Sequence, residues 1–218
     1  MRVKDEVIGV INVGSNCPQK FRNEDLELLS TLSGEVAVSI HNATLFNELE
    51  ELYIETIKAF VEAIEAKDSY TRGHSENVTK YAIMIADKID FSEEDKRTIK
   101  SAGLLHDIGK IGIKEDILNK PGGLTKEEYD IVKTHPYIAV QILGQISNLK
   151  DVIPIIYHHH EKYDGKGYLK KLKGEEIPLG ARILAVVDSF DAMTSARPYR
   201  PALSFDKAVK KLKENVGK

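Results

Sequence analysis

Three apolar runs of the sequence each carry polar residues that a hydrophobic core does not accept without partners. His106 and Asp107 lie in the first run, His159 and His160 end the second, and Asp188 lies in the third. A buried carboxylate is costly unless it is paired with a charge or bound to a metal. The chain must therefore fold so that these groups find partners inside it, which excludes most arrangements of the segments.

The spacing of apolar residues predicts helices along most of the chain. Helical spacing begins at Asn23 and continues to about Lys67, with a break near Gly34. The β-branched run Glu6–Val13 predicts one strand, followed by a turn, and that strand needs a partner to pair its backbone. From Asp68 onward the pattern predicts helices and loops without strands. The expected fold class is all-α, a helical bundle preceded by a long helix and a short N-terminal β/α piece.

The helices expected after Asp68 share apolar positions three or four residues apart, and some begin with capping signals. Thr125 and Glu128 have the spacing of a capping box. His135 precedes Pro136 and is expected at a helix end. The predicted segments are Glu76–Ile89, Ser92–Ile108, the helix that Thr125 caps, Ile138–Leu143, Val152–His160, Leu179–Ser195 and Ser204–Asn215.

Composition excludes several classes of protein. Of the 218 residues, 42% are hydrophobic and 30% are charged, which is typical of a folded globular chain. No apolar stretch is long enough to predict a membrane segment, and the first residues do not resemble a signal peptide. The single cysteine, Cys17, suits a reducing compartment, so a cytoplasmic location is expected. The net charge of −3 argues against a DNA or RNA polymer as partner and is compatible with one anionic ligand in a local basic pocket.

Five histidines and two aspartates form the candidate metal-binding set. Each residue alone has a plain structural interpretation, as a core ion pair or a surface side chain. Together they exceed the four ligands of one tetrahedral structural site and suggest two metals that share a bridge. Nitrogen and oxygen ligands without thiolate suit iron, manganese, cobalt, nickel or zinc. The set is His74, His106, Asp107, His135, His159, His160 and Asp188.

Residues 68–203 resemble the HD-GYP domain, a branch of the HD phosphohydrolases that hydrolyses cyclic di-GMP. Several separate motifs occur in the family's order and at its spacings, which makes the resemblance specific. The matching segments are DSYTRGH (68–74), HDIGK (106–110), NKPGGLT (119–125), THP (134–136), HHEKYDGKGY (159–168) and the stretch from Ile177 through Asp188 to Arg200.

The resemblance implies a role for each matching residue. The candidate set above would be the metal ligands, with Asp107 bridging two ions, of which iron and manganese are expected first. Lys110 would lie beside the scissile phosphate, although a salt bridge to Asp107 is its alternative role. Tyr168, Arg197 and Arg200 would contact the dinucleotide, and the two arginines suit forked phosphate contacts.

The implied activity is hydrolysis of cyclic di-GMP to linear pGpG, with GMP as a further product, through a hydroxide that bridges the metals. Two alternatives stay open. One is a non-catalytic receptor that binds cyclic di-GMP through the same pocket. The other is an HD hydrolase of another, hybrid cyclic dinucleotide.

Two positions depart from the family pattern. The Gly-Tyr of the eponymous motif is followed by Leu169 instead of proline, which affects the geometry of the loop more than metal binding. Some members have a glutamate four residues before His74 that recruits a third metal. Tyr70 stands there in this chain, so a two-metal site is expected.

The N-terminal part resembles the last strand and helix of a GAF sensor domain, over residues 6–46. We therefore expect three segments: 1–46 as a GAF-like fragment, 47–67 as a connecting helix and 68–218 as the HD-GYP catalytic domain. An apolar seam on the connecting helix suggests either a homodimer stalk or a helix that packs on its own domain. Its residues are Phe46, Leu49, Tyr53, Ile57, Phe60 and Ile64.

Overall fold

The computed structural model describes residues 1–18, 20–68, 73–196 and 201–218. Two of the expected substrate contacts, Arg197 and Arg200, lie outside these residues, as does Tyr70. The chain divides into two units, Met1–Thr56 and Ile57–Lys218, and each is described by itself below.

The first unit begins with a small antiparallel hairpin. Strand β1 (Arg2–Val3) pairs with β2 (Glu6–Val7), so that Arg2 lies opposite Val7 and Val3 opposite Glu6. The predicted strand Glu6–Val13 is wrong in length, because the ladder stops where its partner strand ends at Arg2. The partner that the strand needs is supplied by this chain, across the tight turn at residues 4–5.

A single helix, α1, spans Asn23–Glu65 and extends from the first unit into the second. The break expected near Gly34 is absent. A glycine inside a helix costs about 1 kcal/mol relative to alanine. Over 43 residues of cooperative helix this cost is too small to end it.

The described part of the second unit is helical. Its longer helices surround a core that includes Val78, Ile99, Ile156 and Leu184, and the all-α prediction is confirmed. After the end of α1 the helices are α2 (His74–Lys88), α3 (Glu93–Leu105), α4 (Glu115–Leu118), α5 (Lys126–Val132), α6 (His135–Leu143), α7 (Ile153–His158), α8 (Leu179–Thr194) and α9 (Phe205–Glu214), with short 3-10 turns at Ile108–Gly112, Ser147–Leu149 and Gly174–Glu176.

Helix capping follows the sequence closely. The Ser92 hydroxyl accepts a hydrogen bond from the Asp95 amide at the start of α3. At the start of α5 both bonds of the capping box between Thr125 and Glu128 are present, which confirms that prediction. One prediction is wrong: His135 begins α6 instead of ending a helix. Pro136 occupies the first turn, where its missing amide hydrogen has no role in the helix.

Gly109 allows the 3-10 turn Ile108–Gly112 to lie directly against the start of α6. A Cβ atom at this position would lie 1.8 Å from the His135 carbonyl oxygen. Only glycine permits this approach. The contact places Asp107, which precedes the turn, close to the side chain of His135.

Candidate metal centre

The fold brings together all seven side chains of the candidate metal-binding set. They form three overlapping groups, and within each group one donor atom per residue lies within 4.8 Å of the others. We call the first group the imidazole end and the second the carboxylate end, while the third connects them. The groups are His135, His159 and His160; His74, His106 and Asp188; and His106, Asp107 and His159.

Three of the histidines are oriented by backbone carbonyls at the end of the helix that precedes each of them. In each case Nδ1 lies within hydrogen-bond distance of the carbonyl oxygen three residues earlier: 2.8 Å for His106, 2.8 Å for His135 and 2.6 Å for His159. A carbonyl oxygen can only accept, so Nδ1 must carry the proton. The Nε2 atom of each ring is then left with its lone pair directed into the cluster, as in metal-ligating histidines.

The spaces between these Nε2 atoms fit a cation. The Nε2 atoms of His135 and His159 lie 3.4 Å apart, and neither carries a proton to share. Nε2 of His106 is buried without any hydrogen-bond partner. Two metal–nitrogen bonds of about 2.1 Å each can span up to about 4.2 Å between donors. The donor set therefore fits a divalent ion, which would satisfy lone pairs that the protein leaves unpaired.

His74, at the first position of α2, is oriented by side chains instead. Its Nδ1 lies 2.7 Å from Oδ2 of Asp191, and its Nε2 lies 3.3 Å from Oδ1 of Asp188.

The buried carboxylate of Glu65 accepts hydrogen bonds from the backbone amides of Gly73 and Ser75. Glu65 thus caps the start of α2, where the first amides have no helical partner.

Asp107 lies between the two ends and faces both. Its Oδ1 is 3.3 Å from Nε2 of His135, at the imidazole end. Its Oδ2 is 3.5 Å from Nε2 of His106 and 4.0 Å from that of His74, at the carboxylate end. Asp107 could therefore contribute to holding a metal at either end of the cluster.

The protonation states of His135, His159, His160 and Asp107 match those of metal ligands, which are neutral imidazoles and ionised carboxylates. Burial lowers the pKa of His135 and His159, and that of His160 to about 3. Burial would raise the pKa of Asp107, but Lys110 and the neighbouring imidazoles outweigh it and hold this pKa well below its usual range.

The carboxylate end favours positive charge. Burial again opposes ionisation of Asp188, but its hydrogen bond with His74 outweighs burial and lowers the pKa of Asp188. Burial also disfavours a charged His74, yet hydrogen bonds to Asp188 and Asp191 raise the pKa of His74 to about 10. This end attracts a cation, which is a proton on His74 when no metal ion is there.

Lys110 contacts carboxylates on two sides. Its Nζ lies 2.7 Å from Oδ2 of Asp107 and 3.2 Å from Oδ2 of Asp68. Burial opposes its charge, but these two carboxylates raise its pKa above the usual range. The structure thus contains the salt bridge that was the alternative role of Lys110. The expected role beside a phosphate stays a prediction.

Tyr168 lies at the edge of the cluster. Its ring centroid is 4.8 Å from that of His160, with 30° between the ring planes. Burial raises the pKa of Tyr168 above its usual value, so the phenol keeps its proton. Tyr168 is the one expected dinucleotide contact that falls within the described residues.

Three acidic residues that support the cluster were not among the predicted residues: Glu65, Asp68 and Asp191. Asp191 had a sequence signal, because it lies three residues after Asp188 on the same face of α8. Asp68 opens the DSYTRGH segment that ends at His74, but this segment gives no sign of its contact with Lys110. Glu65 acts from the end of α1, and no local pattern connects it to α2.

The fold and the cluster define a class: an all-α domain with a buried histidine and carboxylate centre of the kind that holds divalent metals. A family model described as HD domain matches residues 58–218. The chain therefore belongs to the HD domain family.

The relatives are similar over most of this chain. It is 42% identical over 169 residues to 3'3'-cGAMP-specific phosphodiesterase 3 of Vibrio cholerae, covering 77% of this chain and 37% of that protein. It is 44% identical over 165 residues to the cyclic di-GMP phosphodiesterase response regulator RpfG of Xanthomonas campestris pv. campestris, covering 75% and 44% respectively. The chain thus spans less than half the length of these two relatives.

Among solved structures, the HDG"Y"P protein Bd1817 from Bdellovibrio bacteriovorus aligns with a TM-score of 0.53 at 23% identity. The alignment covers 66% of this chain and 47% of that one. At this identity the similarity supports the fold alone.

In the described part of the chain, no helix combines the length and apolar character needed to cross a membrane.

Proposed function

We propose that this chain is a metal-dependent phosphodiesterase that hydrolyses cyclic di-GMP to linear pGpG, with GMP as a further product. The observation that carries the proposal is Asp107, whose two oxygens face separate groups of buried imidazoles. A carboxylate between two sets of imidazole nitrogens suits a pair of divalent ions. The two relatives above are both named as cyclic-dinucleotide phosphodiesterases, which supports the substrate class.

The seven residues of the cluster would hold two divalent transition-metal ions, iron or manganese first and nickel, cobalt or zinc as alternatives. When bound, such a pair supplies Lewis-acid stabilisation of phosphate oxygens and a water of lowered pKa for the attack. The chain's own residues orient this chemistry. The carbonyl-bound Nδ1 atoms keep the rings from turning, and burial excludes competing water.

Lys110 and Tyr168 would act on the substrate. The Lys110 ammonium is held beside Asp107 by two carboxylates. A substrate phosphate bound there can accept a hydrogen bond from one of the three N–H groups of the Lys110 ammonium. The positive charge of Lys110 would then offset the negative charge of the diester where it develops. Tyr168 offers a half-buried aromatic face and a protonated phenol at the edge of the cluster. Arg197 and Arg200 are proposed to bind phosphate oxygens.

A hybrid cyclic dinucleotide is the second candidate substrate, because one relative at 42% identity is named as specific for 3'3'-cGAMP. The two substrates share the phosphodiester chemistry and differ in one base. The metal cluster would contact only the phosphates, which both substrates share. Selectivity for one base over the other must therefore come from residues around the cluster.

The test is turnover of both dinucleotides by the anaerobically purified full chain, with products separated by chromatography. Cyclic di-GMP converted to pGpG, with loss of at least about 100-fold in rate in His106→Ala, supports the proposal. Cyclic GMP-AMP cleaved at least about tenfold faster than cyclic di-GMP favours the second candidate. Tight binding of either dinucleotide without turnover contradicts an enzyme and favours a receptor.

For the N-terminal part we propose a GAF-like fragment over 1–46, a connecting helix over 47–67 and a homodimer formed through α1. Not all residues of the predicted seam are available for a dimer contact, because Ile57 and Ile64 are buried in the second unit. A different stripe is exposed on the part of α1 in the first unit, with Val38, Leu45 and Leu52 seven residues apart. A seven-residue apolar repeat is typical of a two-helix seam.

The stripe can be tested by light scattering on the full chain. Dimer mass in the wild type and monomer mass in Leu45→Glu support the seam. A wild-type chain of monomer mass at micromolar concentration contradicts it. Glu48→Lys, beside the stripe, is the control and should leave the mass unchanged.

A further inference from the structure

The loop after His160 returns over the metal cluster and is attached by one buried side chain. Glu161 is 3% exposed. Its Oε1 accepts hydrogen bonds from the backbone amides of Lys170, at 2.7 Å, and Lys171, at 3.0 Å. Its other oxygen, Oε2, is buried without a hydrogen-bond partner. Two successive amides on one oxygen form a small anion-binding nest that the protein fills with its own carboxylate.

Gly167 brings the same loop into close contact at a second point. A Cβ atom there would lie 2.5 Å from Cα of Glu161, 2.5 Å from the amide nitrogen of Lys162 and 2.7 Å from the carbonyl oxygen of His160. All three are backbone atoms, which cannot move aside cheaply. Residues 160–162 and 167–171 are thus joined by a close backbone approach and by the Glu161 carboxylate.

The backbone between these contacts has an unusual conformation. Leu169 has φ of 84° and Lys171 has φ of 57°, both in the left-handed region that non-glycine residues seldom adopt. A proline at position 169 would fix φ near −65° and could not follow this path. The Leu169 departure noted in the sequence therefore has a structural counterpart. This loop is held by Glu161, and no proline ring stiffens it at position 169.

Tyr168 lies between these two features, with its ring against His160. We infer that Glu161 is a positioning residue: through the amides of Lys170 and Lys171 it holds the 167–171 loop so that Tyr168 lies at the edge of the metal cluster. The side chain that it positions is a substrate contact only if the proposed function is correct. The attachment of the loop itself does not depend on that function.

Limited trypsin digestion of the folded full chain tests the attachment directly, because Lys170 and Lys171 are exposed cleavage sites. In Glu161→Ala, cleavage after these lysines should be at least about tenfold faster, as expected on losing hydrogen bonds to a charged group. Glu161→Gln keeps one acceptor oxygen and should cleave at nearly the wild-type rate. Glu175→Ala, an exposed carboxylate close by, is the matched control.

Equal cleavage rates in the wild type and Glu161→Ala would overturn the inference, and so would equal acceleration in Glu161→Ala and Glu161→Gln. If circular dichroism shows that Glu161→Ala does not fold, Gly167→Ala takes its place, since its added Cβ lifts the loop from residues 160–162. Wild-type cleavage in a folded Gly167→Ala variant would also overturn it.

Kinetics then separate positioning from a general structural effect. Glu161→Ala should raise KM for cyclic di-GMP about tenfold and leave the rate with bis(p-nitrophenyl) phosphate, a small diester that needs only the metals, within about twofold. Equal losses with both diesters would overturn the positioning role. A wild type that cleaves the small diester but neither cyclic dinucleotide contradicts the proposed function, while digestion still decides whether Glu161 attaches the loop.

Discussion

The two ends of the metal cluster are built by different means. At the imidazole end the rings of His135 and His159 are oriented by carbonyls of their own chain segments, three residues earlier. At the carboxylate end His74 is oriented by Asp191 from a different helix, α8. The first arrangement is local, whereas the second exists only once α2 and α8 have packed.

The charge of the two ends differs in the same way. The imidazoles of the first end are neutral at pH 7, because burial lowers the pKa of each. The second end has the ionised Asp188 and a His74 whose pKa is raised to about 10. One cluster thus combines an end of neutral imidazoles with an end that contains a buried ion pair and depends in part on tertiary packing, and Asp107 faces both.

The largest effect is expected at Asp107, because its loss removes the group that the two ends share. Asp107→Asn keeps the shape but removes the negative charge, so both ions should be lost. Replacing even an outer partner of a metal ligand costs 10–100-fold in affinity or activity, so we expect more than about 100-fold loss of turnover. Elemental analysis and product chromatography measure this. Asp116→Asn, on the exposed start of α4, is the control, and Asp107→Asn with two ions and normal turnover would refute the shared role.

Gly109 supports the imidazole end through its contact with the His135 carbonyl. In Gly109→Ala the added Cβ meets that oxygen at 1.8 Å, and overpacking of this kind costs up to about 3 kcal/mol of unfolding free energy. Urea denaturation measures the loss. Gly123→Ala is the matched control, since a Cβ there meets nothing within 4 Å. A Gly109→Ala variant as stable as the control would disprove the close contact.

Asp191→Asn tests whether the two ends bind metal independently. The amide can no longer hold His74 by charge, so the affinity of the carboxylate end should fall about 10–100-fold while the imidazole end keeps its ion. At limiting metal the variant should contain one ion per chain fewer than the wild type. If both ions are lost together, the two ends are not separable. Asp206→Asn at the start of α9 serves as the control.

Helix α5 ends next to the imidazole end, because the carbonyl oxygen that orients His135 belongs to Val132, the last residue of this helix. Thr125→Ala removes the cap and should cost about 1 kcal/mol of stability. The metal content should not change, because the ring is oriented by the last turn of α5 and the cap acts on the first. A loss of metal in this variant would show that the end depends on the whole helix.

The smallest effect is a pH dependence of the same cap. The Lys120 ammonium and the Thr125 amide lower the folded-state pKa of Glu128 below its unfolded value of 4.5. Because the folded pKa is the lower one, the stabilisation is present above about pH 4.5 and is lost as the pH falls through the folded value. The stability difference between the wild type and Glu128→Gln should therefore shrink below this pH. A stability difference between these two proteins that grows as the pH falls would contradict this prediction.

The sequence predicted the composition of the cluster well, because each ligand candidate is a polar residue in an apolar or motif-bearing segment. His106, Asp107 and Asp188 stand out in this way without any coordinates. The neutral end could also be anticipated in part, since its orienting carbonyls are three residues away. Helix caps such as Thr125 with Glu128 follow from spacing alone.

What the sequence could not supply depends on tertiary contacts or on unusual backbone. Glu65 accepts from amides at the start of α2 that lie eight and ten residues later, and Glu161 accepts from two amides nine and ten residues later. The left-handed backbone conformation of Leu169 could not be predicted from the sequence, because leucine seldom adopts it. The extra length given to the first strand came from composition, whereas pairing with β1 sets its real end.

The measurement that tests the central claim most directly is the number of metal ions per chain, in the 218-residue chain purified without oxygen and reconstituted with Fe²⁺ or Mn²⁺. A cluster with two ends that share Asp107 should hold about two ions per chain, as two-metal sites do. Fewer than one ion per chain after reconstitution would contradict a metal centre formed by these seven residues.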